Sequence, residues 1–586
     1  MAHDNQSPAE PTPEPALLVL AREKFGALSQ AEEELFRAAQ GGRPASALDP
    51  DEKENDPANA TNWKAERVVR AKCLAWVCTE PQASALLTHQ GVDIRGMRID
   101  GELNLDNAEV KFPLLASNCA FSENISLRDA QLRRLSLAGC HIKRLDAVLA
   151  TFNRSLYLRH GFKSEGGVKL ARATIDGDLD CVNAQFSNAE GSAFNADGMK
   201  IEGSVFLSRG FKAEGEVNLI AITIRGDLNC RGGQFSNASG LALGAAGAKI
   251  DGSVFFNNDF KAEGKVDLLG STIGGDLGCV GGQFLNGNGL ALDASVAEIG
   301  GNTYLRDGFK AEGEVSLMAA TMGNLQISDA IGADKVTFDL RLTQVGAFCD
   351  DEQSWPEEGN LFLDGFRYER FYGNAPLDAD SRKKWLSLQP QDKFLPQPYE
   401  QLAAVLRQMG HEPDARLVMI EKNRDRARFT NVFRQSWWWY NVFGRLIGYG
   451  YAPWRAFAMS VAMILLGTFL FHLGSTHDLI SPTSEKAYAK EPNGQLIVEN
   501  GQKKISEEYP TFNAFFYSLE SFTPLLKLDQ SANWTPNANR SAKISQFHLT
   551  VPFSGSFLRY YLYFHIASGW LLTSLWVGAI TGLVKT

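Results

Sequence analysis

The stretch AFFYSLESFTPLLKLDQ, Ala514 to Gln530, sets Glu520, Lys527 and Asp529 among phenylalanines and leucines. It lies between the two apolar runs of the chain that are long enough to cross a bilayer. Charged groups in such a place either line a path for ions or anchor a loop at the membrane surface. The other residues able to carry chemistry offer less. The eight cysteines contain no CxxC pair; Cys73 and Cys78 are five apart, and Cys181, Cys230 and Cys279 recur every 49 residues. They read as reduced thiols that fill a core as small apolar groups. The nine histidines are scattered, His472 and His477 being the closest pair considered. No elbow of the G-x-S-x-G type is present, and GNGLAL at Gly287 lacks the third glycine and the following helix of a dinucleotide loop. No cofactor, no metal site and no catalytic residue is therefore expected, and the reading leans away from an enzyme.

What must position the loop is a long chain of several parts. With 586 residues, more than one core is expected, and a net charge of −10 argues against nucleic acid as a partner. Residues 1–15 are Pro-rich and polar, and a disordered tail is expected. The middle of the chain repeats itself: GFKSEGGVKL, GFKAEGEVNL, DFKAEGKVDL and GFKAEGEVSL set Phe162, Phe211, Phe260 and Phe309 49 residues apart. Within each copy apolar residues alternate in pairs, as in Val168 and Leu170, Ala173 and Ile175, Leu179 and Cys181, Ala184 and Phe186. A spacing of two is the strand period. Successive pairs start five or six residues apart, so the chain turns a corner each time. This predicts a β-solenoid over 91–370, with about four sides per coil and two coils per 49-residue repeat. Helical periodicity predicts caps over 16–90 and, as a helical hairpin, over 371–430.

ATIDGDLDC, Ala173 to Cys181, is of the type A-x-I-x-G-x-L-x-C. Here the chain resembles pentapeptide-repeat and related right-handed β-helix proteins, which implies a right-handed, irregular pentapeptide-type β-helix. Cap, β-helix, QPYEQLA and YGYAPWRAF together look like bacterial proteins often labelled membrane-associated oxidoreductases. That label implies redox activity, for which no residue here speaks.

From Arg416 to Arg445 there are seven Lys or Arg and two acidic residues, followed by Trp437, Trp438, Trp439, Tyr440 and Trp454. Basic and aromatic flanks mark a membrane interface, with the basic side inside. Residues 431–455 are thus a juxtamembrane segment, 456–474 a first transmembrane helix and 560–584 a second. The termini and solenoid are expected in the cytoplasm of a bacterium, with the protein multi-pass in its inner membrane. Residues 475–559 then form an extracytoplasmic loop, with a candidate pore helix over 511–525.

AFFYSLESFTPLLKLD resembles the pore helix and filter of two-span potassium channels. Ala514, Ser518, Thr523 and Asp529 fall on matching positions, and Ser521 sits where that family has a threonine. The filter departs from the family: Pro524, Leu525, Leu526, Lys527 and Leu528 replace its glycine-bearing run, so potassium selectivity is not implied. In an oligomer, a tetramer by the resemblance, Lys527 would form a positive ring, with Glu520 as a partner for it. Gly569, Gly578 and Gly582 of the second span are candidate hinge or packing positions. The alternative is an interfacial helix, since Phe512, Phe515, Phe516, Leu519, Phe522 and Leu526 recur at helical spacing. Three readings result: a pore-loop protein coupled to a β-helix, a membrane-anchored scaffold binding a protein on its solenoid, and an oxidoreductase by label.

Overall fold

The computed structural model describes residues 14–429, 437, 444–492, 494–499, 502–546 and 549–581. The tail 1–13 and, of the segment 431–455, residues 431–436 and 438–443 fall outside these. The chain forms two compact units that divide between Asp414 and Ala415.

The first unit is a solenoid of about twelve turns in which each strand pairs in parallel with strands one turn away. A representative turn has four short sides, Thr151–Phe152, Leu156–Tyr157, Lys163–Ser164 and Val168–Lys169, before the chain returns at Thr174–Ile175. Thr151 pairs with Thr174, Thr174 with Lys200 and Lys200 with Thr223. Short and long turns therefore alternate, and two of them make one 49-residue repeat. Coils of strict fives are absent from this region. The longer turn carries a bulge in which the side-chain amides of Asn188, Asn237 and Asn286 donate to the carbonyls of Ser192, Leu241 and Leu290. Gly287, in GNGLAL, belongs to that bulge.

Stacking in register turns each sequence position into a ladder. Phe162, Phe186, Phe211, Phe235, Phe260, Phe284 and Phe309 form a continuous interior stack, with successive ring centroids 5.2 to 5.8 Å apart. Cys181, Cys230 and Cys279 are buried two turns from one another, roughly 9.6 Å at the usual strand spacing, too far to cross-link. Leu207 and Phe256, equally buried, occupy the turns between, and Leu158 and Leu305 the turns on either side.

At one corner a polar spine replaces side-chain packing. Ser155 Oγ accepts from Asp178 N–H, Asp178 Oδ1 from Ser204 N–H, Ser204 Oγ from Asp227 N–H, and the alternation continues through Ser253 and Asp276 to Asn302. The adjoining glycines pass close to the backbone of the next turn: a Cβ on Gly226 would come within 2.9 Å of the Gly203 carbonyl oxygen and strike Ser204. This is why glycine precedes each residue of the spine from Asp178 to Asn302.

Both ends of the solenoid are closed by helices held through ion pairs to buried carboxylates. At the start stand α1 (Ala16–Phe25), α2 (Gln30–Gly41) and α3 (Ala71–Thr79). Two short cap strands, Ala45–Ser46 and Val68–Arg70, pair onto the first turns. Glu32 completes a capping box with Ser29 and accepts from Arg70 Nε (2.6 Å) and Nη2 (2.8 Å). Burial works to raise this carboxyl, but the Arg70 and Ser29 hydrogen bonds hold it below its ordinary value. At the far end α4 (Ala379–Ser387) and α5 (Gln397–Gln408) follow the last strand, with α5 packed on it, and the next helix, α6 (Glu412–Arg428), spans the division into the second unit. Arg382, 0% exposed, donates bidentately to Asp350, 2% exposed, at 2.7 and 2.8 Å. It also donates to the Pro376 carbonyl and lies over the Phe371 ring. Trp355 Nε1 shares the same carboxylate.

Arg382→Ala leaves Asp350 buried without its cation, so chemical denaturation of the protein is expected to show a loss of about 3–5 kcal/mol, whereas loss below about 1 kcal/mol would mean that the pair is not desolvated. Burial pushes the thiols of Cys73 and Cys78 up to about 12 and raises those of Cys181, Cys230 and Cys279 as well. The reactive thiolate is therefore scarce at pH 8. A maleimide is expected to leave these five native cysteines unlabelled there and to label them after denaturation. Native labelling at Cys181, Cys230 or Cys279 would contradict the stacking.

Candidate functional site

The second unit holds two helices long and apolar enough to cross a membrane, α7 (Trp454–Thr476) and α9 (Gly555–Ile580), and between them the short helix α8 (Ala514–Phe522). α9 starts at Gly555 because the Ser554 hydroxyl caps it, accepting from Phe557 N–H at 3.2 Å; apolar content alone places the start at 560. α8 is shorter than the 511–525 expected. Asn513 caps its first turn, accepting from the N–H groups of Phe515 and Phe516. Pro524 holds Thr523 in extended backbone and so ends it.

α8 packs on both long helices. At its start Phe512 and Tyr517 join a cluster with Phe471, Trp534 and Leu558. One turn on, the Ser518 hydroxyl donates to the Ile464 carbonyl of α7 at 2.8 Å. His565 Nε2 of α9 lies 3.1 Å from both the hydroxyl and the carbonyl oxygen of Ser518. One arrangement of protons satisfies all of these contacts. His565 Nε2–H donates to Ser518, the Ser518 hydroxyl donates to Ile464, and the Tyr561 hydroxyl donates to His565 Nδ1 (3.4 Å). Gly467 makes room for the crossing, since a Cβ there would strike Ser518 and His565. At the end of α8 the Phe522 carbonyl rests against Gly569, where a Cβ would collide with it.

The order of these contacts fixes the course of α8. Its first residues meet the Leu558 level of α9, Ser518 meets His565, and Phe522 meets Gly569 near the middle of α9. The helix thus runs alongside α9 and reaches its midpoint. A helix lying flat at an interface would touch each long helix at one level. The Phe515 and Phe516 side chains, 43% and 46% exposed, point away from both.

Thr523 to Leu526 form a turn closed by Leu526 N–H to the Thr523 carbonyl (3.2 Å), with Pro524 at its second position. Leu525 stands at the tip, 93% exposed. The chain then climbs through Leu526, Lys527 and Leu528 to Asp529. Glu520 accepts from Gln530 N–H (2.8 Å), Ser531 N–H (2.9 Å) and the Ser531 hydroxyl (3.1 Å), so it ties the two ends of the loop together. The Gln530 side chain accepts from Asn513 N–H and donates to the Thr511 carbonyl. Lys527 is exposed, and among the described residues it has no ion pair. Glu520 spends its acceptors on the backbone of 530–531. Gly578 lies farther along α9, its carbonyl accepting from the Thr581 hydroxyl. Gly582 is outside the described residues.

Gly467 and His565 went unnoticed in the sequence. A lone histidine inside a 25-residue apolar run is the signal that could have found His565, because an ionisable side chain there needs a partner. Among the described residues no three His, Cys, Asp or Glu converge as a metal site.

Gly569→Leu and His565→Leu are each expected to destabilise the detergent-solubilised protein by about 1–3 kcal/mol, measured as a fall in unfolding temperature. Phe516→Leu, on the free face, is expected to leave that temperature within error. Equal effects from all three would argue against α8 being wedged between the long helices. Compared with known proteins, the chain matches no family model, and no curated protein and no solved structure is significantly similar to it.

Proposed function

We propose that the second unit is a pore-loop, ion-channel-like membrane domain, assembled from several copies and coupled to a cytoplasmic β-solenoid. The observation that carries this reading is the descent of α8 to the middle of α9, fixed by Ser518, His565 and Gly569. Short helices that enter a membrane and return are tolerated where they line a cavity. One chain cannot enclose a path, so the reading requires a homo-oligomer, a tetramer by the likeness to two-span channels. Location in a bacterial inner membrane with both termini inside belongs to the same proposal. In such an assembly Lys527 contributes a ring of positive charge on the outward limb of the loop, which favours anions over cations.

A membrane-anchored scaffold is the second reading, and one row on the solenoid favours it. Tyr157, Phe206, Phe255 and Tyr304 recur on the outside of every second turn, with the guanidinium groups of Arg159, Arg231 and Arg306 over three of the rings. Aromatic and arginine side chains are enriched where proteins bind one another. The oxidoreductase label finds no support in any residue described.

Planar-bilayer recording on the purified full-length protein separates the readings. Currents are expected, and Lys527→Ala is expected to shift their preference from anions toward cations. Silence from both proteins, together with a single-copy mass in detergent, would leave the scaffold as the function.

A further inference from the structure

We infer that the turn Thr523–Leu526 is a hydrophobic gate, closed where the Leu525 side chains of neighbouring copies meet. The inference rests on the pore-loop reading and adds to it how the path is shut. Three observations on the loop carry it. The first is depth: the Phe522 carbonyl lies against Gly569, near the middle of a 26-residue helix, and Leu525 follows three residues later. The loop is back at the level of Asn513 by Gln530, so Leu525 stands at its deepest part.

The second is the backbone. Residues 523–529 are irregular, and among the described residues the N–H groups of Leu525, Lys527 and Leu528 have no partner in the chain. An unpaired amide facing hydrocarbon costs several kcal/mol. At this depth such groups face either water in an enclosed cavity or another polypeptide, and lipid is excluded as the occupant. Copies of the same chain supply the enclosure.

The third is the side chain at the tip. Leu525, at 93%, is the most exposed large apolar residue among those described. Pro524 pre-sets the turn that projects it, and the Glu520 clamp holds the two ends of the loop at a fixed separation. An apolar residue aimed at a water-filled axis by a braced turn is poorly suited to conduct ions and well suited to expel water. Rings of leucine close channels by dewetting. Lys527, two residues outward, would select ions only once the leucines part. Gate and charge ring thus stand in series on one loop, in the segment where a glycine-bearing filter would lie.

The test is ion flux from proteoliposomes holding the full-length protein, with separate potassium and chloride readouts. Leu525→Asn is expected to raise flux by about tenfold or more over wild type, because a polar ring stays wet. Leu525→Ala, which shortens the side chain without adding a polar group, is expected to raise it by a smaller factor. Val498→Asn, at an exposed apolar residue outside the loop 511–531, is expected to change it less than about twofold. Flux through wild type that neither Leu525 variant raises would overturn the gate and leave the pore reading standing. No flux from any variant, with a single-copy mass for each, would overturn the pore reading and the gate with it.

Discussion

A backbone amide that water cannot reach must find its partner inside the protein, and both units of this chain are solutions to that requirement. In the solenoid the partner lies one turn away. Each short side pairs with the side before and the side after, so strands of two residues persist that would be worthless in isolation. The polar spine from Ser155 to Asn302 extends the rule to a corner, where backbone N–H groups point along the stack and have no strand to receive them. A solenoid built this way has two exposed ends. Each is closed by helices pinned through an arginine to a carboxylate that is almost without solvent contact, Glu32 with Arg70 and Asp350 with Arg382. The second pair lends orientation more than net stability, because both of its charges must first leave water.

The second unit meets the same requirement with helices. α7 and α9 satisfy their own backbones, and α8 does so for nine residues. The polar contacts among the three helices are few and specific. Ser518 and His565 bind helix to helix through groups whose alternative is an unsatisfied position among apolar side chains. Gly467 and Gly569 allow the close approach that these contacts need. The regular pattern stops at Thr523, and the loop that follows carries the exposed Leu525 and Lys527.

The solenoid was legible in the sequence because stacking copies one turn onto the next, so that the physical repeat becomes a repeat of residues. Phe162 to Phe309 and Cys181 to Cys279 display it at 49 residues. The corner spine was not legible by the same means: aspartate and serine alternate there, and two residue types with one job conceal the ladder. Asp350 and Arg382 are 32 positions apart with no pattern between them. Their pairing depends on the last turn bringing α4 back over the end of the stack.

In the membrane-length region, apolar content located both long helices, and the helical spacing of Phe512, Phe515, Phe516, Leu519 and Phe522 located the short one. Composition could not show its depth, since Phe512, Phe515, Phe516 and Phe522 give an interfacial helix and a descending one the same periodicity. What separates the two is which face is used and at what level. Tyr517, Ser518 and Phe522 are buried while Phe515 and Phe516 are not, and the partners of the buried face advance along α9 from Leu558 to Gly569. A residue's type records whether it prefers to leave water. The depth at which it does so is recorded only by its neighbours, and for α8 those neighbours are a glycine and a histidine on one helix and a glycine on the other.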